Sequence, residues 1–308
     1  MKIVLANIDY RTHITDEGDQ LQRGLESAGW KLCGFGYDGL TDVGQILDKY
    51  QPTHVFVQDC RDWREDSPGC FDKRVSFRNW KALDDFDGTT ICVLKDAGSV
   101  KRYQQDFFND IGYDALIHYY HKIALEDLGW KLPYLSYRTY HTMDKDRIHF
   151  RPKTKGAIIS GALNAEVYPL RTYITQEAEY FGVDTMRHPG YSNNRCHTYD
   201  YLETISQYKV SVVTCSSYNF ALRKIIEAVA VGAVPITNLP GFDALPGIDG
   251  ALVRFNNKTK KRELKELIEY HVENYEEASR MEWAQICKKH YDYRYIGKKL
   301  DAEILSSH

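Results

Sequence analysis

Residues 208–240, YKVSVVTCSSYNFALRKIIEAVAVGAVPITNLP, concentrate the side chains able to do chemistry. An apolar run ends in the polar turn Thr214-Cys215-Ser216-Ser217. A helical pattern carrying Arg223, Lys224 and Glu227 follows, then Gly232 and a Val-Pro-Ile strand pattern. A helix amino terminus presents unpaired N–H groups and a partial positive charge, so the turn reads as an anion site with Ser216, Ser217 and Tyr218 lining it. Arg223 and Lys224 add fixed positive charge one turn later. Glu227, four residues after Arg223 on the same helical face, is placed to accept hydrogen bonds from ribose hydroxyls. An alanine-rich helix with a glycine and a Val-Pro-Ile strand could equally be an ordinary buried α/β unit. The two cations and the carboxylate tip the reading toward a nucleoside diphosphate site.

Other phosphate motifs are missing. The loop after the first strand pattern is Asn7-Ile8-Asp9-Tyr10-Arg11, with no G-x-G-x-x-G for a dinucleotide pyrophosphate. There is no G-x-x-x-x-G-K-[ST] and no G-x-S-x-G elbow, which argues against a P-loop nucleotidase and an α/β hydrolase. Two D-x-D triplets, Asp85-Phe86-Asp87 and Asp144-Lys145-Asp146, could hold a metal beside a diphosphate, but neither ends a strand pattern and both read as chance matches.

The stretch Glu227-Ala228-Val229-Ala230-Val231-Gly232-Ala233-Val234-Pro235 resembles the E-A-x-A-x-G-x-x-P signature of the group 1 glycosyltransferases of GT-B fold. The resemblance extends to the strand and small-residue loop Ile158-Ile159-Ser160-Gly161 and to Arg171. It implies hexosyl transfer from a nucleoside diphosphate sugar to an acceptor hydroxyl. Glu227 would grip the ribose, and basic residues would neutralise the diphosphate without an essential metal or other cofactor. Ser160, Gly161, Arg171, Ser216, Ser217, Tyr218, Arg223, Lys224 and Glu227 are thus the candidate donor residues, Ser160 and Gly161 because small side chains let backbone approach a phosphate. The sequence departs from the family at Asn219, eight residues before Glu227, where many retaining members carry a second glutamate.

Inverting relatives often draw their base from a histidine in the loop after the first strand, oriented by a later acidic residue. Here these would be His13 and Asp96, with Asp59 as a rival base. A carboxylate-held imidazole has the tautomer and pKa range to take a hydroxyl proton. Polar residues at strand ends are common, and His13 could instead be a solvated or capping residue. An epimerase on the same scaffold and a non-catalytic sugar-nucleotide binder are the alternatives. The acceptor could be a glycan, a protein or a modified DNA base. For the last, Arg147, Arg151, Lys153 and Lys155 form a local basic cluster.

The elements that must position these residues alternate. Strand patterns cover Lys2–Ile8, Lys31–Tyr37, His54–Gln58, Thr89–Lys95 and Tyr113–His118, with helical patterns over Asp16–Gly29 and Val43–Tyr50. Residues 131–155 lose periodicity and read as a crossing. Alternation resumes with strands at Gly156–Ser160, Val183–Arg187, Val210–Thr214, Ala233–Thr237 and Ala251–Phe255. Helices are expected at Tyr168–Phe181, Tyr199–Gln207 and Ala221–Val231, and from Lys261 onward. This predicts an α/β chain of two Rossmann-like domains facing a cleft, GT-B-like. Residues 1–150 would form the acceptor side, and 151–308 the nucleotide-sugar side with its terminal helices.

Composition agrees with such a chain. The 308 residues are 43% hydrophobic and 27% charged, as in globular proteins. The net charge of −3 does not suit a dedicated electrostatic nucleic-acid binder. No apolar run approaches the roughly 18 residues of a membrane span, and MKIVLANIDY is not a signal peptide. The seven cysteines are scattered with no C-x-x-C pair, which predicts reduced thiols and a cytoplasmic setting.

Overall fold

The computed structural model describes residues 1–6, 15–34, 36–58, 77–95, 97–98, 101–189 and 196–306. They form two compact units, one of residues 1–6, 18–140 and 293–306, the other of 15–17 and 141–292.

The first unit contains β1 (Lys2–Leu5), α1 (Glu17–Ser27), β2 (Lys31–Cys33), α2 (Val43–Tyr50) and β3 (His54–Val57). After these come β4 (Thr89–Leu94), α3 (Lys101–Asp110), β5 (Ala115–His118), α4 (Lys122–Asp127) and β6 (Leu135–Arg138). All six strands are parallel, in the order β2-β1-β3-β4-β5-β6. Central strands such as KIVL, HVFV and TTICVL are almost wholly buried, so both faces of the sheet are covered and no polar side is left for alternation. Asp42 starts α2 by accepting the Gln45 N–H at 3.1 Å, which is why its predicted bounds hold. Residues 131–155 are not only a crossing. They contain β6, an edge strand half-buried along its length, whose LSYR sequence carries no apolar period to betray it.

The second unit contains β7 (Lys155–Ser160), α5 (Pro169–Gln176), α6 (Ala178–Phe181), β8 (Val183–Met186), α7 (Thr198–Ile205) and β9 (Tyr208–Val212). It continues with α8 (Arg223–Ala230), β10 (Val234–Thr237), β11 (Val253–Arg254), α9 (Lys261–Glu273) and α10 (Glu277–His290). Its parallel sheet runs β11-β10-β9-β7-β8. Ile159, Val210, Val212, Val234 and Ile236 from the sheet pack with Ile174, Phe181, Leu264 and Ile268 from the helices as one core. Lys153 fastens two helices from below: its Nζ donates to Ser206 O and Val231 O, both at 2.6 Å, the carbonyls that close α7 and α8. A cation at two helix carboxyl ends is favourable and satisfies otherwise orphaned acceptors. Lys153→Met is expected to lower stability by about 2 kcal/mol, a loss readable by chemical denaturation.

The last helix, α11 (Tyr293–Leu305), belongs to the first unit, so the division is not a single cut at 150/151. Ile296, Leu300 and Ile304 are buried, and Asp301 accepts the Trp30 indole N–H at 2.8 Å and pairs with Lys2. At the other junction His141–Phe150 belong to the second unit, tied by Met143 N–H to Tyr291 O at 2.9 Å. Cys33 and Cys215 are buried, and burial pushes each thiol up to about 12, so both act as small hydrophobes. Among the described residues no helix is long and apolar enough to cross a membrane.

Candidate functional site

The strand order of the second unit locates its site. From β7 the chain adds β8 on one side, then returns to add β9 on the other, so the order reverses between β7 and β9. In open parallel sheets ligands bind outside the strand carboxyl ends at such a reversal. Those ends are Ser160-Gly161 after β7 and Thr214-Cys215-Ser216 after β9. Gly161 has φ of +122°, and a Cβ there would lie 2.6 Å from Arg171 Nη1; only glycine allows the guanidinium to cross at this height. Arg171, 3% exposed, donates to Ala162 O at 3.3 Å and Thr214 O at 3.1 Å and lies 3.9 Å over the Tyr168 ring. It ties the two loops together and brings a charge that pairs with no carboxylate among the described residues. Ser160 Oγ donates to Tyr201 OH at 3.4 Å.

The turn after β9 uses several of its amides within the fold. Four amides are occupied: Cys215 N–H by Asn238 Oδ1, Ser217 N–H by Val167 O, Tyr218 N–H by Ser216 Oγ, and Asn219 N–H by Ser216 O. Ser217 Oγ donates to Glu166 O, and the Ala221 N–H goes to the buried Asp243. Ser216 Oγ, Ser217 N–H and Oγ, and Tyr218 N–H thus help to shape the loop. The anion-seeking groups lie one step on, at the head of α8, where the N-cap Leu222 supplies no side-chain acceptor.

Three charged side chains project there. Glu227 is 5% exposed, and Arg223 Nε lies 3.0 Å from its Oε1 as an ion pair without hydrogen-bond alignment. No described residue donates a hydrogen bond to this carboxylate. Arg223, 8% exposed, also donates from Nη2 to Asp16 Oδ1 at 2.7 Å, while Nη1 is buried with no acceptor among the described residues. Burial would lower the guanidinium pKa, but Glu227, Asp16 and Glu17 together raise it, so Arg223 is permanently charged and largely neutralised locally. Two carboxylates, Asp16 and Glu227, thus hold this fixed charge.

Lys224 is the freer cation. Its Nζ sits 3.7 Å from the centre of the Tyr201 ring and makes no ion pair or hydrogen bond among the described residues. Burial lowers its pKa to about 8, with Arg171 and Arg223 adding to the fall and Glu227 opposing it. A bound anion would raise that value again. Affinity for a nucleoside diphosphate should accordingly fall as pH rises through about 8, and Lys224→Met should bind weakly and flatten the profile; titration calorimetry across this range checks both.

His13, Asp59 and Asp96 lie outside the described residues. Asp144 of the second D-x-D triplet caps a short 3-10 turn by accepting the Asp146 N–H at 3.2 Å, and among the described residues no group of three His, Cys, Asp and Glu side chains could hold a metal ion. Asp16, Tyr199 and Tyr201 escaped the sequence reading. So did His141, whose Nδ1 is 2.5 Å from Glu17 Oε1. Their partners are remote in sequence, and no spacing links them.

No protein-family model matches the sequence, and no curated protein matches it at a significant level. Solved structures do match its fold. HepE of Anabaena, in complex with UDP-glucose, superposes with a TM-score of 0.56 at 11% identity, with 100% of each chain covered. The fold is GT-B. Sucrose-phosphate synthase of Thermosynechococcus elongatus gives a TM-score of 0.55 at 11% identity, covering 86% of this chain and 76% of that one. A glycosyltransferase of Rickettsia africae gives 0.51 at 10%, covering 86% and 79%. In this chain the GT-B sheets are the six-stranded and five-stranded ones described above, and α8 with Glu227 follows β9 of the second.

Proposed function

We propose that this GT-B chain is a glycosyltransferase that moves a sugar from a nucleoside diphosphate sugar to an acceptor hydroxyl without an essential metal. One observation carries the reading. At the reversal point of the second sheet, a buried carboxylate that receives no hydrogen bond among the described residues stands beside an ammonium that makes no ion pair or hydrogen bond among them. Glu227 suits the ribose hydroxyls, and Lys224, Arg171 and the head of α8 suit the diphosphate. That HepE is a UDP-glucose complex supports the same class of donor.

In the reaction the acceptor oxygen bonds to the anomeric carbon as the bond from that carbon to the diphosphate breaks, its electron pair leaving on phosphate. Cationic groups fixed at the phosphates stabilise that developing charge. The acceptor proton goes to a base in an inverting reaction, for which we assign His13, held by Asp96, with Asp59 as the rival. The first sheet supports the assignment, because its order reverses between β1 and β3, and residues 7–14 and 59–76 continue from their carboxyl ends.

The test is calorimetric titration of UDP in the presence of a chelator. Binding is expected to persist. Its loss on chelation would point to a metal-dependent site, and no binding of UDP or any other nucleoside diphosphate with metal restored would end the donor reading. Turnover of UDP-glucose with no acceptor present, yielding an epimer, would replace transfer by epimerisation.

A further inference from the structure

We propose that Asp16 is a positioning residue for the donor, setting the Glu227 carboxylate in place through Arg223. The inference rests on the donor reading above and goes beyond it by giving a role to a residue that no motif marks.

Asp16 precedes α1 and lies 207 positions from Arg223 in the chain, yet it is 8% exposed and held on several sides. Its N–H donates to Thr198 Oγ1 at 3.3 Å, and its Oδ2 accepts from Tyr199 OH at 2.7 Å, both at the first turn of α7. Tyr199 is itself covered by the Arg147 guanidinium, 3.3 Å from the ring centre. Asp16 Oδ1, so fixed, accepts from Arg223 Nη2 at 2.7 Å. Burial would raise the Asp16 carboxyl, but the charge of Arg223 and the hydrogen bonds from Tyr199, Arg223 and Thr198 hold it below the usual carboxylate range, so it is ionised at neutral pH.

A guanidinium is planar and rigid, so a grip on Nη2 also settles the direction of Nε. That Nε stands 3.0 Å from Glu227 Oε1. A glutamate side chain has three rotatable bonds and, lacking any hydrogen bond, would otherwise choose among rotamers. The Asp16–Arg223 pair restricts it and leaves its other oxygen available to a ribose. Asp16 also takes up half of the demand of Arg223 for an anion, which keeps Arg223 from drawing Glu227 into a closed pair that excludes the sugar.

The experiment compares UDP with inorganic pyrophosphate, which has no ribose, by calorimetry on the full chain. Asp16→Asn is expected to weaken UDP binding about tenfold or more and to leave pyrophosphate binding unchanged or tighter, because a negative charge near the anion is gone. Combined with Glu227→Gln, Asp16→Asn should cost little beyond the Glu227→Gln loss, since both act on one contact. Tyr199→Phe removes only the hydroxyl that steadies Asp16 and should show the same pattern more mildly; it serves if Asp16→Asn folds poorly. Equal weakening of UDP and pyrophosphate, or full additivity with Glu227→Gln, would reduce Asp16 to a structural residue. If Glu227→Gln weakens UDP binding but neither Asp16→Asn nor Tyr199→Phe does, the proposal falls and the donor reading survives. If Glu227→Gln binds UDP normally, the donor reading itself falls.

Discussion

Gly297→Ala should melt well below the parent protein, although the same change in an exposed helix would stabilise by about 1 kcal/mol. The opposite sign comes from backbone contact between α11 and α1. A Cβ on Gly297 would lie 2.1 Å from Gly24 O and 2.7 Å from Gly24 Cα, and one on Gly24 would lie 2.5 Å from Tyr293 O. These are main-chain atoms of two helices, so no side chain can rotate away and the helices must separate. Overpacking commonly costs about 1–3 kcal/mol, and here it also loosens contacts that depend on close approach. Arg23 donates to Tyr293 OH at 2.8 Å and stacks 4.5 Å from its ring, while Trp30 and Lys2 both reach Asp301. Gly297→Val, larger and β-branched, should lose more than Gly297→Ala, perturbing the first unit while nucleoside diphosphate binding by the second is retained in whatever folds. Thermal unfolding of the two variants tests the contact directly. A melting temperature for Gly297→Ala at or above that of the parent would show that α11 does not pack on α1 in this way.

The contact between Gly24 and Gly297 also shows where sequence reading stops. A glycine inside a helical pattern is a weak hint of close packing, and nothing in the pattern names the partner. The return of α11 to the first unit is therefore illegible in the sequence, where the terminal helices read as one group. Strands buried on both faces were the easy part: the apolar runs of β1, β3, β4, β9 and β10 could hardly be anything else. α3 and β6 were not, because KRYQQDFFND and LSYR carry too few apolar residues for a period to emerge. The candidate site divides the same way. Lys224 and Glu227 follow from local spacing on one helix. The neutralisation of Arg223 does not, since Asp16 reaches it across 207 positions, and only the folded chain makes that pair. The occupied amides of the turn after β9 were equally out of view, being bonded to Val167 and Asn238 on other segments.

Glu227→Gln should reduce nucleoside diphosphate affinity by about tenfold to a hundredfold while changing the melting temperature little. The asymmetry follows from what surrounds the carboxylate. A charged acceptor receiving ribose hydroxyls makes hydrogen bonds of about 1.5–3 kcal/mol, and an amide, neutral and with one acceptor oxygen fewer, cannot replace them both. Breaking a buried ion pair is usually costly because it strands a charge. Here the charge is not stranded, for Arg223 keeps Asp16 at 2.7 Å. The amide also retains the volume of the side chain on the buried helix, so no cavity opens. Inorganic pyrophosphate provides the internal comparison, since it should bind Glu227→Gln at least as well as the parent once a negative charge is removed. Lys224→Met should do the reverse, weakening pyrophosphate and UDP alike, because the ammonium answers to phosphate and not to ribose. If Glu227→Gln instead binds UDP normally and unfolds early, the carboxylate is there for Arg223 alone, and α8 is only part of the core.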